Sequence, residues 1–166
     1  LKDSKGNLVT EDANGQSISS SLTTDKNGEI TVKNLKAGDY QFVETAAPSG
    51  YQVSTTPISF EIANNDTSTK SVTAQDKLNS VTLTKTEAND SNAKLAGAEF
   101  KLEDSKGNGI TKDIAGKALP TSWTTDNNGQ FTVNGLPTGT YQFVETAAPN
   151  GYQLDTTPIP FSVSNT

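Results

Sequence analysis

Thirteen residues, Tyr40-Gln-Phe-Val-Glu-Thr-Ala-Ala-Pro-Ser-Gly-Tyr-Gln52, return from Tyr141 to Gln153 with Asn150 in place of Ser49 as the only change. The copies stand 101 residues apart, and the same offset relates Leu1 to Leu102, Gly28 to Gly129 and Phe60 to Phe161. A register kept without net gap for more than sixty residues defines a tandem array of long period, which starts and stops partway through that period. Any fold for this chain must therefore be one that can be built twice in succession.

Within the repeated element, alternate side chains of a strand point to opposite faces, so Tyr40, Phe42 and Glu44 share one face. The two aromatics mark that face as the buried one. It carries a carboxyl group toward apolar surroundings just before the Pro-Ser-Gly turn. A lone buried carboxylate is costly, so Glu44 and its copy Glu145 require a partner or a proton, unless the strand's end releases them to solvent.

Composition narrows how such a unit can be held together. Hydrophobic residues make up 31% of the 166 residues; even with the 13 glycines added, this falls below the ~45–50% of ordinary domains. The cores must be thin. There is no cysteine, so neither disulfides nor thiolate metal sites can reinforce them. Histidine is absent and all 13 basic residues are lysines. A net charge of −6 without a basic cluster argues against nucleic acid and anionic membrane surfaces as partners. No apolar run approaches the ~18–20 residues of a membrane span, so no membrane contact is expected in this segment.

Along the chain, Leu1–Asn7 reads as the end of a strand entering a Gly-Asn turn, with Leu8–Thr10 beginning the return strand. Residues 11–21 are polar and loop-like. Thr24-Asp-Lys-Asn-Gly28 is a hairpin turn leading into a strand over Glu29–Val32. The Tyr40 strand follows, then strands at Tyr51–Ser54 and Ile58–Ile62, and a last one at Ser71–Leu78. Val81–Glu87 alternates strictly and opens the second unit; Leu95–Asp104 rejoins the position of Leu1, and Trp123 stands where Leu22 stood. No helix of convincing period appears, Gly116 spoiling the best candidate over 112–119. Short strands at regular spacing with Gly, Pro and Asn turns predict an all-β chain of antiparallel sandwiches. Only Lys77–Ser80 is left as a linker, which predicts stiffly coupled units.

Strand parity places two more ionisable groups on apolar faces. Val81, Leu83 and Lys85 share one face opposite three threonines, and Val72, Ala74, Asp76 and Leu78 share another. A first strand thus carries an inward Lys, a middle strand an inward Glu and a last strand an inward Asp.

With these residues in view, the chain resembles the Cna B-type (SpaA-like) repeat domains of Gram-positive surface adhesins and pilins. The likeness is carried by Val81-x-Leu-x-Lys85, Leu95-Ala-Gly-Ala-Glu-Phe100, Thr-Asp-x-Asn-Gly and Tyr-x-Phe-x-Glu-Thr-x-Ala-Pro-x-Gly-Tyr, and covers essentially the whole chain. It implies tandem immunoglobulin-like or prealbumin-like β-sandwiches, secreted and anchored to the cell wall. It also implies an intramolecular isopeptide bond from a first-strand Lys to a last-strand Asp or Asn, assisted by the buried Glu. In this chain Lys85 matches the nucleophile, Asp76 the acceptor, and Glu44 and Glu145 the assisting acids. The implied partners are neighbouring repeats of the same polypeptide, with any host matrix or mucosal ligand reached through other domains. No cofactor and no metal are expected.

The residues make that chemistry reasonable. Burial disfavours the charged forms of amine and carboxyl alike, a neutral amine can attack a carboxyl carbon, and a protonated acid can shuttle the proton. The departure lies in the cut. Residues 1–79 form a unit lacking its first strand and 80–166 a unit lacking its last. The second unit's acceptor would fall beyond Thr166, so no unit holds a complete triad and the expected mass is that of the sequence.

Other signals carry less. Leu136-Pro-Thr-Gly-Thr140 is one residue short of a sortase signal and aligns with an internal loop, 35–39. Asp25-Lys-Asn-Gly28 and Asp126-Asn-Asn-Gly129 lack the remaining ligands of a calcium loop. Trp123 fits core packing better than a sugar platform. Without His, Cys, Arg or a nucleophile constellation, an enzyme acting on external substrates is not expected. Two classes remain: a stalk module, or a ligand-binding adhesin domain. The divergence of 11–21 from 112–122 favours the latter weakly.

Overall fold

The structure, a computed structural model, describes residues 1–165. Thirteen strands and no helix are found among them. Residue contacts divide the chain into two compact units, 1–45 with 53–76, and 46–52 with 77–166. The second unit thus takes in most of the turn that closes the first copy of the repeated element.

In the first unit, β1 (Lys2–Asp3), β2 (Gly38–Phe42) and β4 (Ile58–Ile62) form one antiparallel sheet in the order β1-β2-β4; β3 (Tyr51–Gln52) belongs to the second unit. Phe60 on β4 stacks on Tyr40 and Phe42 of β2, at ring separations of 5.7 and 5.3 Å. None of these rings is fully buried, and the unit buries no large apolar side chain among the described residues. The expected strand over 29–32 does not form: those residues have no ladder partner, and Ile30 is exposed. Leu8 makes only an isolated bridge with Lys2. The expected last strand is likewise reduced to β5 (Lys77–Leu78), which pairs with β3 in the second unit. Val72, Ala74 and Leu78, expected to face inward, are exposed. The physical reason is common to all of these. A strand face is buried only when a strand of a second layer covers it, and these residues have no such cover among the described ones.

The second unit possesses that strand. Its elements are β6 (Ser80–Thr84), β7 (Thr86–Glu87), β8 (Asp90–Lys94), β9 (Glu99–Asp104), β10 (Trp123–Thr124), β11 (Gln130–Asn134), β12 (Gly139–Ala147) and β13 (Ile159–Val163). One sheet runs β10-β9-β12-β13 and the other pairs β6 with β11 antiparallel, Leu83 opposite Phe131 and Val81 opposite Val133. Between them lies a core of Leu83, Phe100, Leu102, Trp123, Phe131, Val133, Leu136, Tyr141, Phe143 and Val163. Phe131 of the small sheet meets Phe143 of the large one edge to face at 5.2 Å. Trp123 is core, packed on Phe131. Leu136 is fully buried and the Pro137 carbonyl accepts from the Tyr141 hydroxyl at 2.7 Å, so Leu136-Pro-Thr-Gly is an internal loop.

One local device recurs that the turn reading only partly found. Among the described residues, six Asp-x-x-Gly turns begin at Asp3, Asp12, Asp25, Asp104, Asp113 and Asp126. In each, one carboxylate oxygen accepts the amides two and four residues on, at 2.8–3.0 Å. The glycine takes a positive φ of 69–86° and donates back to the Asp carbonyl. These carboxylates serve as backbone caps, not as a cation loop.

Hydrogen bonding to the ionised form holds four of these acids below the usual carboxylate range. The leading cause is the Asn7 side chain at Asp3, the Gln16 amide at Asp12, the Glu29 amide at Asp25 and the Asn108 side chain at Asp104. Because the folded values are depressed, their stabilisation is present above the unfolded values near ~4 and is lost as pH falls through the folded ones. Thermal melts should therefore be flat from neutrality to about pH 5 and drop progressively below about pH 4. A melting temperature unchanged at pH 3 would refute the capping role.

Candidate functional site

The candidate site lies in the second unit, where two sheets meet. Lys85 directly follows β6. Its backbone amide donates to the Gly129 carbonyl at 2.8 Å, and its carbonyl accepts the Leu95 amide at 3.0 Å. Gly129 has a φ of +69°, and a Cβ there would lie 2.6 Å from the Lys85 carbonyl oxygen. Only glycine permits the turn to approach this closely and fix the lysine's backbone. The equivalent Gly28 of the first repeat faces open space.

From this anchorage the Lys85 side chain reaches the opposite sheet. Its Nζ lies 3.0 Å from Oε1 of Glu145 on β12. Glu145 is 2% exposed and pairs across the ladder with Phe100 of β9. Its Oε2 accepts the Asp155 amide at 2.9 Å, while Oε1 has no partner but the lysine among the described residues. The lysine side chain is about a quarter exposed. Asp155 is held below its ordinary value chiefly by the Thr157 side chain and amide, with the Lys85 charge contributing less. β6 and β13 each end a sheet, leaving one edge unpaired among the described residues. A carboxyl group brought in along β6 would meet an amine and a buried acid already in contact.

The first unit repeats half of this arrangement. Glu44 is half-buried, and its Oε2 accepts the Ser54 amide, the same bond that Glu145 makes ten residues ahead. It has no lysine partner among the described residues. Asp76 is half-buried with Oδ1 enclosed and without a hydrogen-bond partner. Lys85 and Glu145 are in contact, and among the described residues no ion pair or hydrogen bond joins Asp76 to either. What sequence reasoning missed is Asn79, assigned to the linker. It is buried, and its side chain donates to the Leu136 carbonyl at 2.7 Å and accepts the Leu136 amide at 3.0 Å. A single polar residue between strands carries no signal of this.

An all-β chain whose second unit packs two antiparallel sheets around one core is a β-sandwich protein. The SpaA prealbumin-like fold domain matches residues 1–77 and again 79–166, and the chain belongs to that family, as two tandem members. No curated protein matches it. Among solved structures it is similar to the TIE protein of Bacillus anthracis, with 27% identity over 87% of this chain and 26% of that one, TM-score 0.47. A streptococcal ancillary pilin is 27% identical over 99% of this chain and 57% of its own, TM-score 0.44. BcpA, the major pilin subunit of Bacillus cereus, is 28% identical over 79% and 37%, TM-score 0.44. The chain thus spans between about a quarter and just over half of these proteins.

Proposed function

We propose that this chain is a stalk segment of a Gram-positive surface adhesin or pilin, extracellular and attached to the cell wall. Each complete unit is closed by a self-formed Lys–Asp or Lys–Asn isopeptide bond. The observation that carries this reading is the Lys85–Glu145 contact between the two sheets of the second unit. Membership of the SpaA family and likeness to pilin subunits support it.

The chemistry is a single turnover of the protein on itself. The Lys85 nitrogen attacks a carboxyl or carboxamide carbon on the incoming last strand, and a C–N bond forms. Glu145 takes the amine proton and returns it to the leaving group, and water or ammonia departs as the C–O or C–N bond breaks. Holding amine and carboxyl on adjacent strands supplies the proximity that free groups lack. Closing a loop of roughly 100 residues is worth about 4–5 kcal/mol in the chain-entropy model. In a thin-cored protein without cysteine that is a large share of stability.

The competing reading is an adhesin domain that binds a host ligand through the divergent loops 11–21 and 112–122. Solid-phase binding to collagen, fibronectin and mucin decides between them. A stalk shows no saturable binding to any of the three; saturable micromolar binding would overturn the stalk reading.

A further inference from the structure

The two copies of the thirteen-residue element differ only at Ser49 and Asn150, yet have different surroundings. Residues 46–52 are built into the second unit. The Ala47 amide donates to the Asn165 carbonyl, and the Asn165 side chain donates back to the Ala47 carbonyl at 2.7 Å. The Ser49 hydroxyl accepts the Thr138 amide at 2.9 Å. The Gly50 carbonyl accepts the Asn79 amide at 2.9 Å. Gly50 itself is pressed on Ile114 so tightly that a Cβ would lie 2.7 Å from its side chain. Asn79 braces this seat through its two bonds to the Leu136 backbone.

The second copy has no such seat. Gly151 has the same φ of +88° as Gly50, but a Cβ there would meet nothing within 4 Å. Tyr152 is 43% exposed and Leu154 49%. The turn is closed alike in both copies, the Pro48 and Pro149 carbonyls accepting the Tyr51 and Tyr152 amides, and one of the two is already held by a defined set of groups. Four of those, Asn79, Ile114, Leu136 and Thr138, lie in the second unit. The first repeat has Ala13 and Ala37 at the positions of Ile114 and Thr138, so the seat is a property of the second repeat's sequence. Ile114 falls in the stretch whose divergence between repeats looked like a ligand-binding signal.

We infer that residues 147–153 form a docking surface for a further repeat of the second kind, one presenting the same Asn, Ile, Leu and Thr seat. The Pro-Asn-Gly-Tyr turn enters that seat as Pro48-Ser-Gly-Tyr51 enters its own, with the Asn150 side chain taking the place of the Ser49 hydroxyl. This rests on the tandem arrangement and not on the cross-linking chemistry.

The test compares amide exchange at 151–153 in three chains: residues 1–166, the same chain followed by a copy of 66–78, and the same chain followed by a copy of 66–166. The short extension supplies a last strand without the seat; the long one supplies both. Exchange should slow by about tenfold or more only with the long extension, and Gly151→Ala in that chain should abolish the gain. Equal slowing with the short extension would assign the effect to strand completion and overturn the proposal. So would no slowing with either extension, or slowing that Gly151→Ala leaves intact.

Discussion

A synthetic peptide of residues 69–78 added to the intact chain should become covalently attached, giving a species of chain plus peptide minus one water that survives boiling in detergent. The repeat makes this sequence the model for a last strand of the second unit, and β6 offers it an unpaired edge among the described residues. Val72, Ala74 and Leu78, exposed where they stand in the chain, would enter the slot beside Leu83, and Asp76 would arrive at the Lys85 amine. Lys85→Ala should abolish the adduct. Glu145→Gln, which keeps the shape and the Asp155 amide bond but cannot exchange a proton, should slow it by roughly 10²-fold or more while the peptide still binds. An adduct that persists in Lys85→Ala would mean that another lysine reacts, and the site assignment would fall. Peptide bound at saturation with no mass change in the unaltered chain would remove the acid-assisted mechanism.

The second large effect compares equivalent phenylalanines. Phe143 is 2% exposed, stacked on Phe161 at 4.7 Å and set edge-on to Phe131. Phe42 occupies the same place in the repeated element but is half-buried and stacks on Phe60 alone. Phe143→Ala should cost the second unit about 3–5 kcal/mol, the usual range for emptying an aromatic site in a closed core. Phe42→Ala should cost the first unit no more than about 1–2 kcal/mol, since half-exposed area is all it surrenders. Urea unfolding followed by hydrogen exchange in each unit reads both values. Equal losses would show that the first unit is as well covered as the second, against the burial observed here.

Much of this protein is legible along its chain because the signals are local. Strand parity put Lys85 on the face of Val81 and Leu83, and Glu145 on the face of Tyr141 and Phe143. The structure finds these groups at the boundary of the two sheets. The Asp-to-Gly spacing of three marks each capped turn, since an Asp side chain reaches its own backbone two and four residues on and glycine alone takes the required φ cheaply. The all-β class follows from the same alternation and turn chemistry.

What the sequence could not decide is which copy of a nearly identical element becomes core. Tyr40–Gln52 and Tyr141–Gln153 differ at one residue, yet Phe42 is half-exposed and Phe143 buried, while Gly50 is enclosed and Gly151 open. Nor could it show that Val72 and Ala74 would face solvent despite their alternation, or that Asn79 would brace a seat and not link two units. Propensity and parity fix where a side chain points; burial depends on what lies opposite. In the second unit β6 covers the large sheet and closes a core around Phe131 and Phe143. In the first, no second layer covers the same residues among the described ones, so they form a strand face that stays half-exposed.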